Sequence, residues 1–170
     1  MSRKIRLSGV VNDSIVDGPG LRLSIFTQGC LMECEGCQNK ETWDINGGSL
    51  YNIDDLVIEW RKNPLIKGIT ISGGEPFLQA ESCLELAKRA ALDGLDVIIY
   101  TGYIYEDLIS RKDPIIDELL SYTKYLIDGP FILKKKSLML LFRGSTNQRI
   151  IDIDKTKKQN KVVLMDESNY

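Results

Sequence analysis

Strand-like segments rich in branched apolar residues recur about every 29 residues in the middle of the chain, and this repeat constrains the fold more than any other feature. Three such segments begin at Lys67, Asp96 and Lys124, and amphipathic segments separate them. This spacing is close to the length of one strand–helix unit, in which parallel strands are joined by helices. The sequence therefore predicts an α/β fold built on parallel strands.

The remaining elements follow from the same periodicity. We predict strands over residues 4–11, 21–27, 67–71, 96–100, 124–127, 149–153 and 161–165. Apolar residues at helical spacing predict helices over 53–60 and 80–91, and a third begins at Asp113-Pro114, a cap followed by a first-turn proline. The chain has 170 residues, too few for a closed eight-unit barrel of about 250 residues. We expect a partial, open TIM-like barrel in a single domain, residues 1–170.

Four unusual segments each follow a predicted strand. A cysteine loop follows "LRLSIFTQG", "SGGEP" follows "KGITI", "TGY" follows "DVIIY", and "DGPF" follows "KYLI". In parallel strand–helix folds the carboxyl ends of the strands face one common surface, where ligands bind. We therefore expect the four loops to form one site.

The cysteine loop has the composition of a reactive metal centre. Cys30, Cys34 and Cys37 are spaced C-x3-C-x2-C, the fourth cysteine, Cys83, is distant, and the chain has no histidine. A structural zinc site requires four cysteine or histidine ligands. A ferredoxin-type cluster would need Cys83, which lies on the apolar stripe of a predicted helix, where a cysteine usually acts as a small hydrophobe. Three thiolates can instead hold three irons of a 4Fe-4S cluster and leave the fourth iron open, which is typical of a reactive site.

The composition of the chain restricts the cellular compartment and the kinds of partner that we expect. Three closely spaced cysteines make a poor disulfide framework, and the sequence has no export leader, so we expect a cytoplasmic protein with reduced thiols. No apolar run approaches the roughly 20 residues that span a bilayer. A net charge of -2 gives no general attraction to nucleic acid or acidic lipid.

The C-x3-C-x2-C spacing of the cysteine loop and the "SGGEP" segment together resemble the radical S-adenosylmethionine enzymes. These enzymes bind that cofactor at the open iron of a 4Fe-4S cluster. Five longer segments resemble, within that family, the glycyl-radical-enzyme activases that act on the anaerobic ribonucleoside-triphosphate reductase. They are "VDGPGLRLSIFTQGC", "GCQNKETW", "YTGY", "LIDGPF" and "FRGSTNQRIID", and the likeness extends over residues 17–152. It implies Cys30, Cys34 and Cys37 as cluster ligands.

The resemblance also implies a one-electron reaction. The reduced cluster cleaves S-adenosylmethionine to methionine and a 5'-deoxyadenosyl radical, which removes a hydrogen atom from a glycine of the reductase large subunit. The implied partners are that subunit and a low-potential donor such as flavodoxin, because cluster potentials extend down to about -700 mV. No acid–base residue is needed, so no catalytic side chain is assigned.

Cofactor contacts are expected at two of the motifs. Gly73 and Gly74 lack side chains, so the strand end can approach a ligand, although a plain turn would use the same residues. Glu75 could accept a hydrogen bond from the ammonium of S-adenosylmethionine or cap the following helix. The resemblance places backbone contacts to adenine at Gly36, Cys37 and Gln38, where many relatives have an aromatic residue or histidine beside the cysteine.

Three further positions are open to two interpretations. Thr101 and Asp128 lie at strand ends suited to the ribose or the protein substrate, and a turn role is equally consistent with the sequence. Residues 17–20 form a tight turn, which the resemblance also brings to the substrate.

One segment separates the candidate functions. Arg143-Gly144-Ser145-Thr146-Asn147-Gln148-Arg149 is either a polar turn before a strand or a segment that shapes the site or docks the reductase, with Arg143 and Arg149 as the expected contacts. Alternatives are a pyruvate formate-lyase type activase or a small-molecule radical enzyme, neither of which has reason to keep this segment. An electron-transfer module would instead require Cys83 as a ligand.

Overall fold

A computed structural model describes residues 3–170 as a seven-stranded sheet covered by helices on one face. The strands are β1 (Lys4–Ser14), β2 (Arg22–Thr27), β3 (Ser49–Asn52), β4 (Gly68–Gly73), β5 (Asp96–Tyr100), β6 (Tyr125–Asp128) and β7 (Arg149–Asp152). The helices are α1 (Ile53–Arg61), α2 (Ala80–Leu92), α3 (Tyr105–Ser110), α4 (Pro114–Ser121) and α5 (Ile153–Gln159).

The described strands form one open sheet in the order β3-β1-β2-β4-β5-β6-β7. The four central strands β2, β4, β5 and β6 are parallel, and their register brings Thr27 beside Gly73 at the carboxyl end. The outer pairs are antiparallel, β1 with β2 and β3, and β7 with β6. Because β3 and β7 are the two free edges, the fold is α/β with a partial, TIM-like barrel, as predicted.

The helix-covered face of the sheet carries the main hydrophobic core. Alternate residues of the central strands point to this face, as the two-residue period of a strand requires. These residues are buried together with the inward faces of α1, α2 and α4: Leu23, Ile25, Ile69, Ile71, Val97, Ile99 and Leu126. Asp113 caps α4 by accepting a hydrogen bond from the Ile115 amide at 2.9 Å, which confirms the predicted helix start.

The opposite, concave face is more polar. Arg22 is fully buried at its amino end, where its Nε donates to Thr70 Oγ1 at 2.7 Å and its Nη2 lies 2.6 Å from an Asp96 carboxylate oxygen. A smaller apolar cluster, which includes Ile98 and Ile127, covers the β5–β7 side of this face. A buried charge needs hydrogen-bonding or oppositely charged partners, and Thr70 and Asp96 supply them. Arg22 therefore links the amino-terminal parts of β2, β4 and β5.

Several sequence predictions differ from the structure. Residues 161–165 do not form the predicted strand, because Leu164 makes only an isolated antiparallel bridge to Ile151. The elements β3, α3 and α5 were not predicted. The sequence predicted parallel strands joined by helices and gave no sign that β1 and β7 are antiparallel to their neighbours.

Within residues 3–170, no helix combines the length and the apolar character needed to cross a bilayer.

Candidate active site

A cavity of about 500 Å³ opens at the carboxyl ends of the parallel strands. Each of the four loops that the sequence singled out contributes to its wall: Cys30, Cys34 and Cys37 after β2, Gly73 to Glu75 after β4, Thr101 and Gly102 after β5, and Gly129 and Phe131 after β6. The structure thus brings the four loops to one site, as expected from their positions after parallel strands. The volume lies in the usual range of about 300–1,000 Å³ for small-molecule sites.

The three clustered cysteines all line this cavity with free thiols. The Cys37 amide donates to the Cys34 carbonyl at 3.1 Å, and the Asn39 amide donates to the Cys37 sulfur at 3.4 Å. Burial raises the pKa of the Cys30 thiol, and the nearby Glu75 and Cys34 add to the increase. Amide hydrogen bonds to the sulfurs are one of the factors that set the potential of an iron–sulfur cluster.

The donor set fits a cluster better than a single ion. Among residues 3–170, no three histidine, cysteine or acidic side chains converge closely enough to hold one metal ion. A cubane makes a different demand, because three thiolates bind three different irons and must surround a cluster-sized space. Three thiols around one cavity satisfy that demand.

Cys83 lies outside the site. It is fully buried in the hydrophobic core on α2, and its thiol donates to the Pro76 carbonyl at 3.4 Å. Burial raises the pKa of this thiol strongly, which disfavours the thiolate that a metal ligand requires. This position agrees with the prediction that Cys83 acts as a small hydrophobe. It does not agree with a ferredoxin-type site, in which Cys83 would be the fourth cluster ligand.

The cysteine loop is held against the end of β4 by backbone hydrogen bonds. The Gly74 amide donates to the Thr27 carbonyl, and the Glu75 amide donates to the Gly29 carbonyl, both at 2.8 Å. On its other side the loop is tied to the following segment, since the Gly29 amide donates to the Thr42 carbonyl at 2.6 Å. The two central motifs therefore form one structural unit.

This arrangement gives the Gly73-Gly74 pair a role beyond leaving room for a ligand. Gly73 has a φ of +93°, and a Cβ atom there would lie 2.6 Å from the Phe26 carbonyl carbon. A Cβ atom on Gly74 would overlap the Gly29 carbonyl oxygen. Only glycine therefore allows β4 to pack against the cysteine loop while presenting its backbone to the cavity.

Glu75 links two of the loops. One carboxylate oxygen accepts from the Phe77 amide at 2.9 Å, which caps the short helical turn Pro76–Gln79. The other accepts from Thr101 Oγ1 and from the Gly102 amide, both at 2.7 Å. Burial raises the pKa of Glu75 to about 7, and the hydrogen bonds oppose that increase. Glu75 therefore caps the following helical turn, one of the two roles predicted for it. It also fixes the loop after β5, and it lines the cavity.

The region after the last cysteine explains why residue 36 is glycine. Gly36 has a φ of +75°, and a Cβ atom there would lie 2.8 Å from Leu133 Cδ1 and 3.3 Å from Phe131 Cε1. Gly36 is therefore packed beneath these side chains and is the one expected cofactor residue that does not line the cavity, whereas Gln38 does. Phe131, from the loop after β6, thus packs beside the cysteine loop.

Sequence reasoning missed the apolar wall of the cavity. Five aromatic side chains line it: Phe26, Trp43, Tyr100, Phe131 and Phe142. For Phe131 a signal was present, because the "DGPF" motif follows a strand of the parallel sheet. Phe142 has a φ of +56°, an unusual backbone conformation for a bulky residue, and its carbonyl accepts from the Tyr100 hydroxyl at 2.6 Å.

Three polar side chains of residues 143–149 brace the "DGPF" loop. Asn147 Nδ2 donates to the Pro130 carbonyl at 2.8 Å, and Gln148 Nε2 donates to the Gly129 carbonyl at 3.1 Å. Arg149 binds the buried carboxylate of Asp128 at 2.5 Å and also pairs with Glu106 at 2.8 Å. This network accounts for the dense hydrogen-bonding character of the segment and shows that it shapes one wall of the site.

Asp128 and Arg143 have different surroundings. Asp128 is committed to Arg149 and to the Tyr105 amide, and it does not line the cavity. Arg143 does line the cavity, and its guanidinium pairs with Glu167 at 2.5 Å. Of the two arginines expected to meet the reductase, Arg143 is thus the one at the site.

The turn at residues 17–20 folds back into the concave face. The Asp17 carboxylate accepts hydrogen bonds from the hydroxyls of Ser14 at 2.6 Å and Ser24 at 2.8 Å, and its carbonyl accepts from Thr70. Asp17 also forms part of the cavity wall. The predicted turn therefore extends the floor of the site.

Comparisons with known proteins agree with this geometry. A family model described as "4Fe-4S single cluster domain" matches residues 16–151. The anaerobic ribonucleoside-triphosphate reductase-activating protein of Escherichia coli K12 is 36% identical over 143 residues, which cover 79% of this chain and 90% of that protein. The corresponding protein of Vibrio cholerae serotype O1 is 35% identical over 144 residues, covering 80% and 90%.

Two other similarities are more limited. The pyruvate formate-lyase 1-activating enzyme of Escherichia coli K12 is 41% identical over 113 residues, which cover 64% of this chain and 44% of that enzyme. Among solved structures, QueE from Escherichia coli matches with a TM-score of 0.49 and 21% identity, covering 58% of this chain and 53% of that chain.

Proposed function

The chain belongs to the family of anaerobic ribonucleoside-triphosphate reductase-activating proteins, which are radical S-adenosylmethionine enzymes with a 4Fe-4S cluster, and on that premise we propose its specific role. We propose that it generates the glycyl radical on the large subunit of the anaerobic ribonucleoside-triphosphate reductase. One observation carries this proposal: three thiols and the glycine strand end line a single cavity, while the fourth cysteine is buried in the core.

The cluster ligands in this proposal are Cys30, Cys34 and Cys37. With Cys83 in the core, none of the chain's cysteines is left for the fourth iron, which is therefore open to S-adenosylmethionine. When both groups are bound, they supply the electron transfer and carbon–sulfur cleavage that yield methionine and the 5'-deoxyadenosyl radical. With Cys30, Cys34 and Cys37 holding the cluster, the bound groups would supply the hydrogen-atom abstraction that releases 5'-deoxyadenosine and leaves the unpaired electron on the glycine α carbon.

The other residues of the cavity bind and orient the cofactor. We assign S-adenosylmethionine to the surface formed by Gly73, Gly74 and Glu75 together with Gln38 and Thr101, all of which line the cavity. Gly36 and Cys37 contribute through the backbone of the cysteine loop. The hydrogen bonds from Thr101 and Gly102 to Glu75 fix this surface before the ligand arrives, which lowers the cost of ordering it on binding.

The apolar wall protects the reaction. Phe26, Trp43 and Phe131 give part of the lining an apolar surface. Excluding water from a closed site prevents side reactions of reactive intermediates. We therefore assign these three side chains to containment of the radical.

The choice of partner rests on the relatives and on the loop geometry. The relatives named as activators of the anaerobic reductase share about four fifths of this chain and nine tenths of their own length, whereas the pyruvate formate-lyase activase shares less than half of its own. Residues 143–149, the segment that separated the candidates in the sequence, brace the cavity wall. A pyruvate formate-lyase type substrate is therefore not favoured.

Three further assignments complete the proposal. The electron donor is a low-potential protein such as flavodoxin, because the reaction requires a potential near the low end of the range for iron–sulfur clusters. The reaction takes place in the cytoplasm, which suits a chain with four free thiols. Residues 1–170 act as one radical S-adenosylmethionine domain.

Anaerobic reconstitution with iron and sulfide tests the chemistry without any partner. The reconstituted protein, reduced with dithionite and mixed with S-adenosylmethionine, should release methionine and 5'-deoxyadenosine, and the Cys34→Ala variant should release neither. If the wild-type protein binds a 4Fe-4S cluster but forms no 5'-deoxyadenosine, the proposed reaction is wrong.

A further inference from the structure

The molecule exposes large apolar side chains beside the cavity. Five of the seven most exposed such side chains among residues 3–170 lie on three loops: Ile15, Val16, Leu31, Leu138 and Met139. Met139 is 93% exposed and Leu138 is 87% exposed. We call these five residues the apolar rim. Clustered apolar exposure of this kind usually marks an interaction surface.

The rim is continuous with the cavity. Val16 and Leu138 form part of the cavity wall themselves. Leu31 lies between Cys30 and Met32, which also line it. The three loops come from separate parts of the chain, so the fold has gathered these side chains at the site.

The two carboxylates that line the cavity are committed to internal contacts. Asp17 accepts from two serine hydroxyls, and Glu75 accepts three hydrogen bonds. Neither carboxylate is therefore free to recognise a cationic ligand, and Lys136 and Arg143 are the charged side chains of the lining that remain for a partner. The surface suits a partner that presents apolar side chains and an uncharged backbone.

We propose that the apolar rim docks the glycine-bearing loop of the protein substrate, with apolar side chains that flank the glycine seated on Ile15, Val16, Leu31, Leu138 and Met139. This inference rests on the proposed function, because the glycine α carbon must reach the cavity that the rim residues Val16 and Leu138 themselves line. A small-molecule substrate would have no use for apolar side chains outside the cavity. Burial of a few central apolar residues commonly supplies most of the affinity of a protein interface.

The test uses residues that lie on the rim without lining the cavity. Ile15→Ser combined with Met139→Ser removes two exposed side chains, neither of which contributes to the cavity wall. The matched control combines Ile58→Ser on α1 with Leu92→Ser at the end of α2, two exposed residues on the helices that cover the opposite face of the sheet. Each double variant loses two exposed apolar side chains, so neither should lose its fold.

Three quantities are measured for each reconstituted protein: the dissociation constant for the purified reductase large subunit, the yield of glycyl radical, and the uncoupled cleavage of S-adenosylmethionine. The rim variant should bind the reductase about tenfold more weakly or worse, a loss typical of central interface residues, and form radical more slowly at limiting concentration. Its uncoupled cleavage, and all three quantities in the control, should remain as in the wild type.

Two outcomes would overturn the docking role. One is unchanged affinity and radical yield in the rim variant while the wild type activates the reductase. The other is a change only in self-association, seen by sedimentation, which would assign the rim to a second copy of this chain. A wild type that cleaves no S-adenosylmethionine would instead contradict the proposed function, so the two failures are distinguishable.

Discussion

The backbone of Gly74 lies so close to that of Gly29 that a Cβ atom on residue 74 would overlap the Gly29 carbonyl oxygen. The same carbonyl accepts the Glu75 amide at 2.8 Å, and the next residue after Gly29 is the first cysteine of the cavity. The strand end expected to bind S-adenosylmethionine is therefore also the support of the cysteine loop. Cluster binding and cofactor binding should be coupled through this contact.

Gly74→Ala should consequently impair both functions. Because the added methyl group must displace the cysteine loop, we expect a loss of about 1–3 kcal/mol in the free energy of unfolding, lower iron content after reconstitution and weaker S-adenosylmethionine binding. Gly9→Ala is the matched control, since a Cβ atom on Gly9 meets nothing within 4 Å. Normal iron content in the Gly74→Ala variant would show that the loop tolerates the displacement.

Alanine substitutions should distinguish the three cysteines that bind the cluster from Cys83, whose thiol is buried in the core. Alanine at Cys30, Cys34 or Cys37 should abolish the 4Fe-4S absorption and electron resonance signals together with S-adenosylmethionine cleavage. Cys83→Ala should keep the cluster and cost roughly 1 kcal/mol of stability, because it removes only a buried sulfur atom from the core. A cluster that assembles fully in any of the first three variants, or fails to assemble in a folded Cys83→Ala protein, would refute this ligand set.

Glu75 should make the stability of the cluster-free protein depend on pH. Its pKa is about 7 in the folded state and 4.5 ordinarily, so its protonated form is favoured by folding. This contribution is fully present below about pH 4.5 and is lost as the pH rises through 7, by about 3 kcal/mol in total. Urea unfolding at a series of pH values should show this decline in the wild type relative to Glu75→Gln. Parallel pH profiles for the two proteins would mean that Glu75 titrates normally.

Arg143 should act on the partner rather than on the cofactor. Arg143→Ala should leave uncoupled S-adenosylmethionine cleavage nearly intact and lower radical formation on the reductase by about tenfold, the effect of losing a charged hydrogen bond. Glu167→Ala breaks the same ion pair but keeps the guanidinium, so it should leave radical formation unchanged. If radical formation fell equally in both variants, the ion pair with Glu167 would be the role of Arg143. If it fell in neither, residues 143–149 would have a purely structural role.

The parts of the fold that the sequence predicted are those fixed by local pattern. The strand at 96–100 was predicted with its observed bounds, and the helix starts at Ile53, Ala80 and Pro114 were also found, because apolar periodicity and capping residues mark them. Because the carboxyl ends of parallel strands share one edge of the sheet, the sequence also predicted that the cysteine loop and the Gly73-Gly74 pair lie together.

The parts that were missed depend on contacts distant in sequence. Strand β3 has only four residues and pairs with β1, so its own pattern is too short to detect. The antiparallel direction of β1 follows from its connection to β2, residues 15–21, which is too short for the crossover that parallel strands need. The contact between Gly36 and Phe131 joins loops after β2 and β6, and nothing in either loop alone indicates it.

The most direct test of the central claim is electron resonance spectroscopy of the reductase itself. The reconstituted protein is mixed anaerobically with S-adenosylmethionine, a low-potential reductant and the purified large subunit of the anaerobic ribonucleoside-triphosphate reductase. We predict an organic radical signal on the large subunit, whose hyperfine splitting collapses when its glycine residues are deuterated at the α carbon, and no signal with the Cys37→Ala variant. Steady formation of 5'-deoxyadenosine without any glycyl radical on the reductase would contradict the account.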